Sequence, residues 1–176
     1  MKIRVLLNPI SGRGRQPQDD ISNLRHFFAE QGVSAQVISL QSRGQATQLA
    51  REAVAENFDM VVAVGGDGTI NETVCGLVNS DVPLGIIPAG SGNGLARTFC
   101  IPLDIKGACR TLLQGQTRSL DVGKLNDRFF LGVAGIGYDA LVSRLFEEKW
   151  GGRRGLLPYL HTAVLGFFRY RVTPIH

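Results

Sequence analysis

The chain has 176 residues, of which 44% are hydrophobic and 19% are charged. This composition is that of a folded globular protein, and it excludes a disordered or fibrous chain. The formal net charge of +4 equals the basic excess within residues 144–171, where six basic residues stand against two acidic ones.

The basic residues of this C-terminal region lie beside apolar ones. Such a region suits anionic lipid headgroups or nucleic acid, but a solvated protein face is an equally good interpretation. The longest apolar stretch, Leu156–Phe168, contains Pro158 and His161 and is too short to span a membrane. The three cysteines show no metal or redox spacing, and the N-terminus does not resemble a signal peptide. We therefore expect a soluble, reduced, cytoplasmic protein.

Strand and helix patterns alternate through the first two thirds of the chain. Apolar runs predict strands at Ile3–Leu7, Val33–Leu40, Met60–Val64 and Leu84–Ile87. Apolar residues at helical spacing predict helices from Ile21 to about Gly32 and at Gln45–Asn57, Ile70–Val78, Leu95–Phe99 and Ile105–Leu113. This alternation predicts an α/β fold with a doubly wound, mostly parallel sheet.

The pattern changes after Gly115. Ser119–Leu125 and Arg128–Val133 are predicted to pair as strands around a turn, and two helical stretches follow, one ending at Phe146 and one at Leu156–Tyr170. We therefore expect an α/β domain over residues 1–117 and the start of a β-rich, incomplete second domain over residues 118–176.

Three glycine-rich loops follow predicted strands: NPISGRG at 8–14, GGDGT at 65–69 and PAGSGNG at 88–94. Ligands of doubly wound proteins bind at the carboxyl ends of the strands, where these loops are expected to meet. Glycine lets the backbone approach a phosphate closely, and the N–H groups at the start of a helix bind anions. A carboxylate among those donors repels phosphate unless a cation lies between them, so Asp67 predicts a magnesium ion.

Other interpretations of these loops compete with the phosphate site. Thr69 is suited to capping the next helix or to donating to phosphate, and the acidic Glu72 suits the first helical turns. GGDGT alone is also consistent with a purely structural turn. The chain contains neither a P-loop nor a dinucleotide fingerprint, and Ser91 lacks the frame of a hydrolase nucleophile, because position 89 is alanine.

Four ordered motifs resemble those of the diacylglycerol kinase catalytic domain family, which includes bacterial lipid kinases and sphingosine kinases. They are NPISGRG, GGDGTINETVCGL, PAGSGNGLAR and FLGVAGIGYDA, and the match as a whole runs from Ile3 to about Tyr159. The resemblance implies ATP- and magnesium-dependent phosphorylation of a lipid hydroxyl. It makes the first domain the ATP-binding domain and the second the lipid-binding domain. A lipid substrate at the membrane surface is then the expected partner, with peripheral membrane association and no nucleic acid. The resemblance leaves the oligomeric state open, and a homodimer is one of the alternatives.

The resemblance also implies roles for individual residues. Asp67 is expected nearest the magnesium ion and the transferred phosphate, as metal ligand and candidate catalytic carboxylate, and Ser91 is expected to offer its hydroxyl to the nucleotide. The implied nucleotide-binding residues are Asn8, Pro9, Ser11, Gly12, Gly65, Gly66, Asp67, Gly68, Thr69, Asn71, Glu72, Gly90, Ser91 and Asn93.

The chain also departs from the family pattern. The family's late Asp-Gly-Glu motif, whose carboxylate is the expected base, does not occur after Asp139, so the chain is expected to be a fragment or a truncated reading frame. Two alternatives to a lipid kinase stay open: a soluble-substrate kinase of the NAD kinase type, and an inactive nucleotide-binding fragment.

Overall fold

The computed structural model describes residues 1–11, 17–133, 135, 137–150, 156–167 and 170. The chain forms two compact units, residues 1–132 and 133–176. The predicted boundary between residues 117 and 118 lies inside the first unit. The division into an ATP-binding and a lipid-binding domain stays a prediction.

The first unit is built on a four-stranded parallel sheet. Its strands are β1 (Lys2–Leu7), β2 (Ser34–Ser39), β3 (Met60–Gly65) and β4 (Leu84–Pro88), in the order β2-β1-β3-β4. Its helices are α1 (Pro17–Glu30), α2 (Gln45–Ala55), α3 (Asp67–Leu77), α4 (Gly94–Thr98) and α5 (Ile105–Gln114). The predicted α/β fold with a parallel sheet is confirmed.

Helices cover both faces of this sheet. Ile3, Val5 and Leu7 of β1 share a core with residues of α1 and α5. Leu6 points to the opposite face, where it shares a core with residues of α2 and α3. Successive strand residues alternate between faces, so central strands covered on both sides are apolar almost throughout. This explains the apolar runs from which β1 and β3 were predicted.

One charged side chain of β1 is buried on the face of the sheet that α2 and α3 cover. Arg4 is 3% exposed, and its Nε donates to Gln36 Oε1 at 2.8 Å while one Nη donates to Glu56 Oε2 at 2.7 Å. The other Nη donates to the Leu49 carbonyl, and the guanidinium lies 4.3 Å from the centre of the Phe58 ring. These partners satisfy a charge that would otherwise be costly to bury.

Helix α3 begins three residues earlier than the sequence predicted. The sequence placed its start at Ile70, whereas the structure starts it at Asp67 after an extended Gly66 with φ −92° and ψ −175°. GGDGT is therefore the end of a strand and the first helical turn, not a separate loop. The capping interpretation of Thr69 was wrong, because Gly66 is the N-cap and no side chain caps this helix.

A short hairpin ends the first unit. It consists of β5 (Gly123–Leu125) and β6 (Arg128–Phe130), which pair antiparallel around Asn126 with φ +53°. The predicted pairing is confirmed, but both strands are shorter than predicted.

The second unit contains two packed helices, α6 (Tyr138–Trp150) and α7 (Leu156–Phe167). Val142 of α6 is 1% exposed. A Cβ at Gly166 would lie 3.4 Å from Val142 Cγ2, and the Tyr138 hydroxyl donates to the Ala163 carbonyl. Within the part of the chain that is described, no helix is long and apolar enough to cross a bilayer.

Candidate functional site

The described parts of the three predicted loops, residues 8–11, 65–69 and 88–94, meet at the carboxyl edge of the parallel sheet. The Asn8 N–H, just after β1, donates to the Val64 carbonyl at 2.9 Å, and the Ala89 N–H, just after β4, donates to the Gly65 carbonyl at 2.8 Å. The ends of β1 and β4 therefore flank the end of β3. The expectation that the loops share one edge is confirmed.

A side-chain hydrogen bond joins the first loop to helix α3. Asn8 Nδ2 donates to Thr69 Oγ1 at 2.9 Å, and Asn8 Oδ1 accepts from the Ile10 N–H at 3.1 Å. Asn8 and Ser11 also close a turn, because the Ser11 N–H donates to the Asn8 carbonyl. The two polar ends of Asn8 thus hold its own loop and the GGDGT segment together.

Close packing explains two of the glycines. A Cβ at Gly65 would lie 2.5 Å from Thr69 Oγ1, and one at Gly90 would lie 2.5 Å from the Gly66 Cα. Neither distance is possible for a real Cβ, so Gly65 makes room for the Thr69 side chain of its own segment and Gly90 lets the third loop touch Gly66. The sequence had predicted ligand contact as the reason for glycine, whereas at these two positions protein packing is sufficient.

Gly68 is different. Apart from its chain neighbours and its own helix backbone, a Cβ built on this residue would meet no atom of the described residues within 4 Å, and its φ is not positive. Neither packing nor backbone conformation therefore demands glycine here. Gly68 lies in the first turn of α3, where backbone N–H groups lack intrahelical acceptors. Open space beside such donors is what an incoming anion requires.

The Asp67 carboxylate joins α3 to α4. Oδ2 accepts from the Gly94 N–H and Oδ1 accepts from the Leu95 N–H, each at 3.0 Å. The side chain is exposed, and each oxygen keeps a further lone pair. The carboxylate is thus held in place by the backbone of the neighbouring loop and stays accessible.

Asn93 folds the third loop. It has φ +52°, a left-handed conformation that asparagine tolerates better than most residues. Its Oδ1 accepts from the Gly90 N–H at 2.8 Å and its Nδ2 donates to the Gly90 carbonyl at 2.9 Å. Asn93 is buried, whereas Ser91 within the turn it closes is exposed. The structure places the serine hydroxyl, not the asparagine amide, within reach of solvent.

Two other predicted site residues bind neighbouring elements. Glu72 Oε2 accepts from the Gly44 N–H at 2.9 Å, at the start of α2, and the Thr47 hydroxyl donates to the Glu72 carbonyl. Asn71 Oδ1 accepts from the Leu131 N–H at 2.9 Å, just after β6. Neither side chain makes a described hydrogen bond to the three loops. Gly12, which the sequence also placed in the site, lies outside the described residues.

Arg97 is a site residue that the sequence reasoning did not single out, although it stands in the quoted PAGSGNGLAR motif. It lies on α4, is exposed, and its Nε donates to the Gly92 carbonyl at 3.0 Å. This contact ties its guanidinium to the third loop. The sequence signal for Arg97 was its position four residues after Asn93, in the short helix that follows the third loop.

A cavity of about 1210 Å³ lies elsewhere in the first unit, beside β4, and its lining includes none of the predicted site residues. In the described part of the chain, no group of three or more His, Cys, Asp or Glu side chains could hold a metal ion. In its described part the site is therefore a surface of backbone donors with the Asp67 carboxylate and the Arg97 guanidinium, while the Glu72 carboxylate accepts from Gly44.

Comparison with known proteins identifies the family of this arrangement. Residues 2–125 match the sequence model of the diacylglycerol kinase catalytic domain. The chain belongs to the diacylglycerol kinase catalytic domain family. The matched range contains all three loops, so the resemblance seen in the motifs is confirmed.

Two relatives and one solved structure illustrate the similarity. A diacylglycerol kinase of Bacillus subtilis (strain 168) is 37% identical over 139 residues, which are 77% of this chain and 46% of the relative. One of Staphylococcus aureus (strain bovine RF122 / ET3-1) is 34% identical over 144 residues, 81% of this chain and 45% of the relative. The crystal structure of a diacylglycerol kinase from Bacillus anthracis (strain Sterne) superposes with a TM-score of 0.63 at 27% identity, over 74% of this chain and 48% of that one. The chain thus spans about half the length of the diacylglycerol kinases it matches.

Proposed function

We propose that this chain carries the ATP-binding part of a lipid kinase, which transfers the γ-phosphate of ATP to a lipid hydroxyl with magnesium present. In this reaction the hydroxyl oxygen forms a bond to the γ-phosphorus, the bond from that phosphorus to the bridging oxygen breaks, ADP leaves, and the hydroxyl proton is released. The observation that carries the proposal is the meeting of residues 8–11 and the third loop at the start of α3, in a family whose named relatives are diacylglycerol kinases.

The start of α3 supplies the phosphate site in this proposal. The first-turn N–H groups of a helix carry partial positive charge and point away from its body. Gly68 leaves these donors uncovered, because no other described residue fills the space where its side chain would stand, whereas Gly66 packs against Gly90. Asn8, Pro9 and Ser11 would line the site from the first loop. The exposed Ser91 hydroxyl would donate to the nucleotide from the third loop.

The residues present fit a magnesium ion. Mg²⁺ is usually bound by one or two carboxylates together with substrate phosphates and water, so a closed protein cage is not required. Asp67 offers one exposed carboxylate whose oxygens each keep a lone pair beside their N–H partners. Asp67 would hold the ion, which when bound supplies neutralisation of the phosphate charge. The same carboxylate is the candidate proton acceptor for the lipid hydroxyl.

We also propose that the lipid is met at a membrane surface through the second unit. Leu160, Val164 and Phe167 follow one another along α7 at helical spacing and are 57%, 54% and 69% exposed. Arg144 and Lys149 lie on α6, which packs against α7. Arg144 is paired with Glu148 at 3.5 Å, and acidic residues outnumber basic ones on α6, so the exposed apolar side chains of α7 carry this proposal. The double variant Leu160→Ser/Val164→Ser should sediment less with phosphatidylglycerol vesicles than the wild type. Leu103→Ser changes an exposed leucine of the first unit and serves as the matched control.

Calorimetric titration of ATP, with and without magnesium, tests nucleotide binding directly. We expect magnesium-dependent binding by the wild type, weakened in Asp67→Asn and unchanged in the control Asp127→Asn, which alters an exposed acid of the hairpin turn. Transfer of labelled phosphate from ATP to diacylglycerol in mixed micelles tests the reaction. Transfer to NAD in place of lipid would support the NAD kinase alternative. No ATP binding by the folded wild type would refute the proposal for this chain.

A further inference from the structure

We propose that Arg97 binds the phosphate chain of the nucleotide and contributes to selectivity for ATP over AMP, an inference that rests on the proposed function. No role for this residue followed from the sequence.

The charge balance of the site favours a basic side chain in addition to magnesium. The segments 8–11, 65–72 and 88–98 contain two carboxylates, Asp67 and Glu72, and a single basic residue, Arg97. ATP brings several more negative charges to the same edge of the sheet. Arg13 and Arg15 of the first loop lie outside the described residues. Within the described part of the loops, Arg97 is therefore the one side chain able to offset the phosphates.

Among the described residues, one hydrogen bond holds the guanidinium and its other donors have no partner. Nε donates to the Gly92 carbonyl at 3.0 Å, which leaves the four N–H bonds of the two Nη atoms. Among the described residues, no carboxylate lies within 4.0 Å of it. An arginine anchored through Nε presents its remaining donors as a planar fork, which matches phosphate oxygens in pairs.

The anchor lies next to the candidate metal ligand. A Cβ built on Gly92 would be 3.5 Å from Asp67 Oδ2, and one on Gly94 would be 3.7 Å from the same carboxylate. The residue whose carbonyl holds Arg97 therefore borders the carboxylate proposed to hold Mg²⁺. A nucleotide whose phosphates reach Asp67 through the metal comes near the Arg97 fork.

A purely structural role makes a different prediction. If Arg97 only holds the Gly92 carbonyl, its loss disturbs the third loop and weakens every nucleotide by a similar factor. If it binds phosphate, the loss grows with the number of phosphates. Titration of ATP, ADP and AMP in the presence of magnesium therefore separates the two roles.

The experiment compares the wild type, Arg97→Gln, Arg97→Lys and the control Arg110→Gln, an exposed arginine of α5 outside the three loops. Hydrogen bonds to charged groups correspond to a loss of about 10- to 100-fold in ATP affinity for Arg97→Gln. We expect a smaller loss for ADP, the smallest for AMP, and no change in the control. Arg97→Lys keeps a point charge and should lie between wild type and Arg97→Gln.

Each outcome either supports or overturns the proposed role of Arg97. Unchanged ATP affinity in Arg97→Gln, or an equal loss for ATP, ADP and AMP, would overturn the role of Arg97 while leaving nucleotide binding intact. Failure of the folded wild type to bind all three nucleotides would refute both this inference and the proposed function. Should thermal melts show that Arg97→Gln does not fold, the same comparison across the three nucleotides is read from Arg97→Lys.

Discussion

Gly68→Ala should separate nucleotide binding from stability. Beyond its chain neighbours and its own helix backbone, the new Cβ meets no atom of the described residues within 4 Å, so the substitution causes no clash with that part of the chain. Alanine is favoured over glycine in a helix by up to about 1 kcal/mol, and Gly68 lies in the first turn of α3. We expect the variant to be as stable as the wild type or slightly more stable. Its affinity for ATP should nevertheless fall, because the methyl group occupies the space proposed for phosphate.

Gly90→Ala is the matched comparison. Its Cβ would lie 2.5 Å from the Gly66 Cα and 2.9 Å from Asn93 Oδ1, so backbone atoms of the two loops must separate. Forcing an extra methyl group into close packing costs about 1–3 kcal/mol. For a chain of this size each kcal/mol lowers Tm by about 2–4 °C. Gly90→Ala should therefore lose both stability and ATP binding.

Thermal denaturation and calorimetric titration of the two variants check these expectations. The informative result is a difference in pattern, with binding lost alone in Gly68→Ala and lost together with Tm in Gly90→Ala. Wild-type ATP affinity in Gly68→Ala would refute the argument that open space beside the α3 donors is the phosphate site. A stability loss in Gly68→Ala as large as that in Gly90→Ala would show that the packing argument is wrong.

Further substitutions test other contacts. Arg4→Ala should lower the unfolding free energy by about 2 kcal/mol, because Glu56 and the other partners of the buried guanidinium lose their donor; a urea melt within error of wild type would contradict this. Glu72→Ala removes the acceptor of the Gly44 N–H at the start of α2 and should lower the unfolding free energy by about 1 kcal/mol in a urea melt. ATP affinity should be retained if the Glu72 carboxylate serves only as this acceptor. At about pH 8 a thiol reagent should label the exposed Cys100 first and Cys109 only on unfolding, because burial raises the pKa of the Cys109 thiol to about 11 and its thiolate is scarce. Because the thiol pKa is higher in the folded state, its contribution to folding stability is fully present below pH 9.0, the ordinary thiol pKa, and is lost as the pH rises toward about 11. Equal labelling rates for Cys100 and Cys109 would count against the burial of Cys109.

The elements of the first unit could be predicted because their patterns are local. β1 and β3 are short apolar runs between turn residues, and α2 carries Ala46, Ala50 and Ala53 on one buried stripe. Periodicity of this kind depends on which side of an element is buried, and the sequence shows it directly. The start of α3 was missed because glycine is a poor helix former, and local propensity cannot show that Gly66 and its neighbours are packed against Gly90.

The sequence by itself determined the family, the parallel α/β fold and the meeting of three glycine-rich loops, because strands joined by helical crossovers in one sheet must end at the same edge. The partners of the individual side chains were decided by the tertiary structure. Asp67 binds N–H groups 27 and 28 residues away, and Glu72 binds one 28 residues away. Such pairs depend on how the loops and helices pack, and the local sequence does not indicate which residues will meet across 27 or 28 positions. For the same reason Arg97 became a candidate only when its anchor at Gly92 was found beside Asp67.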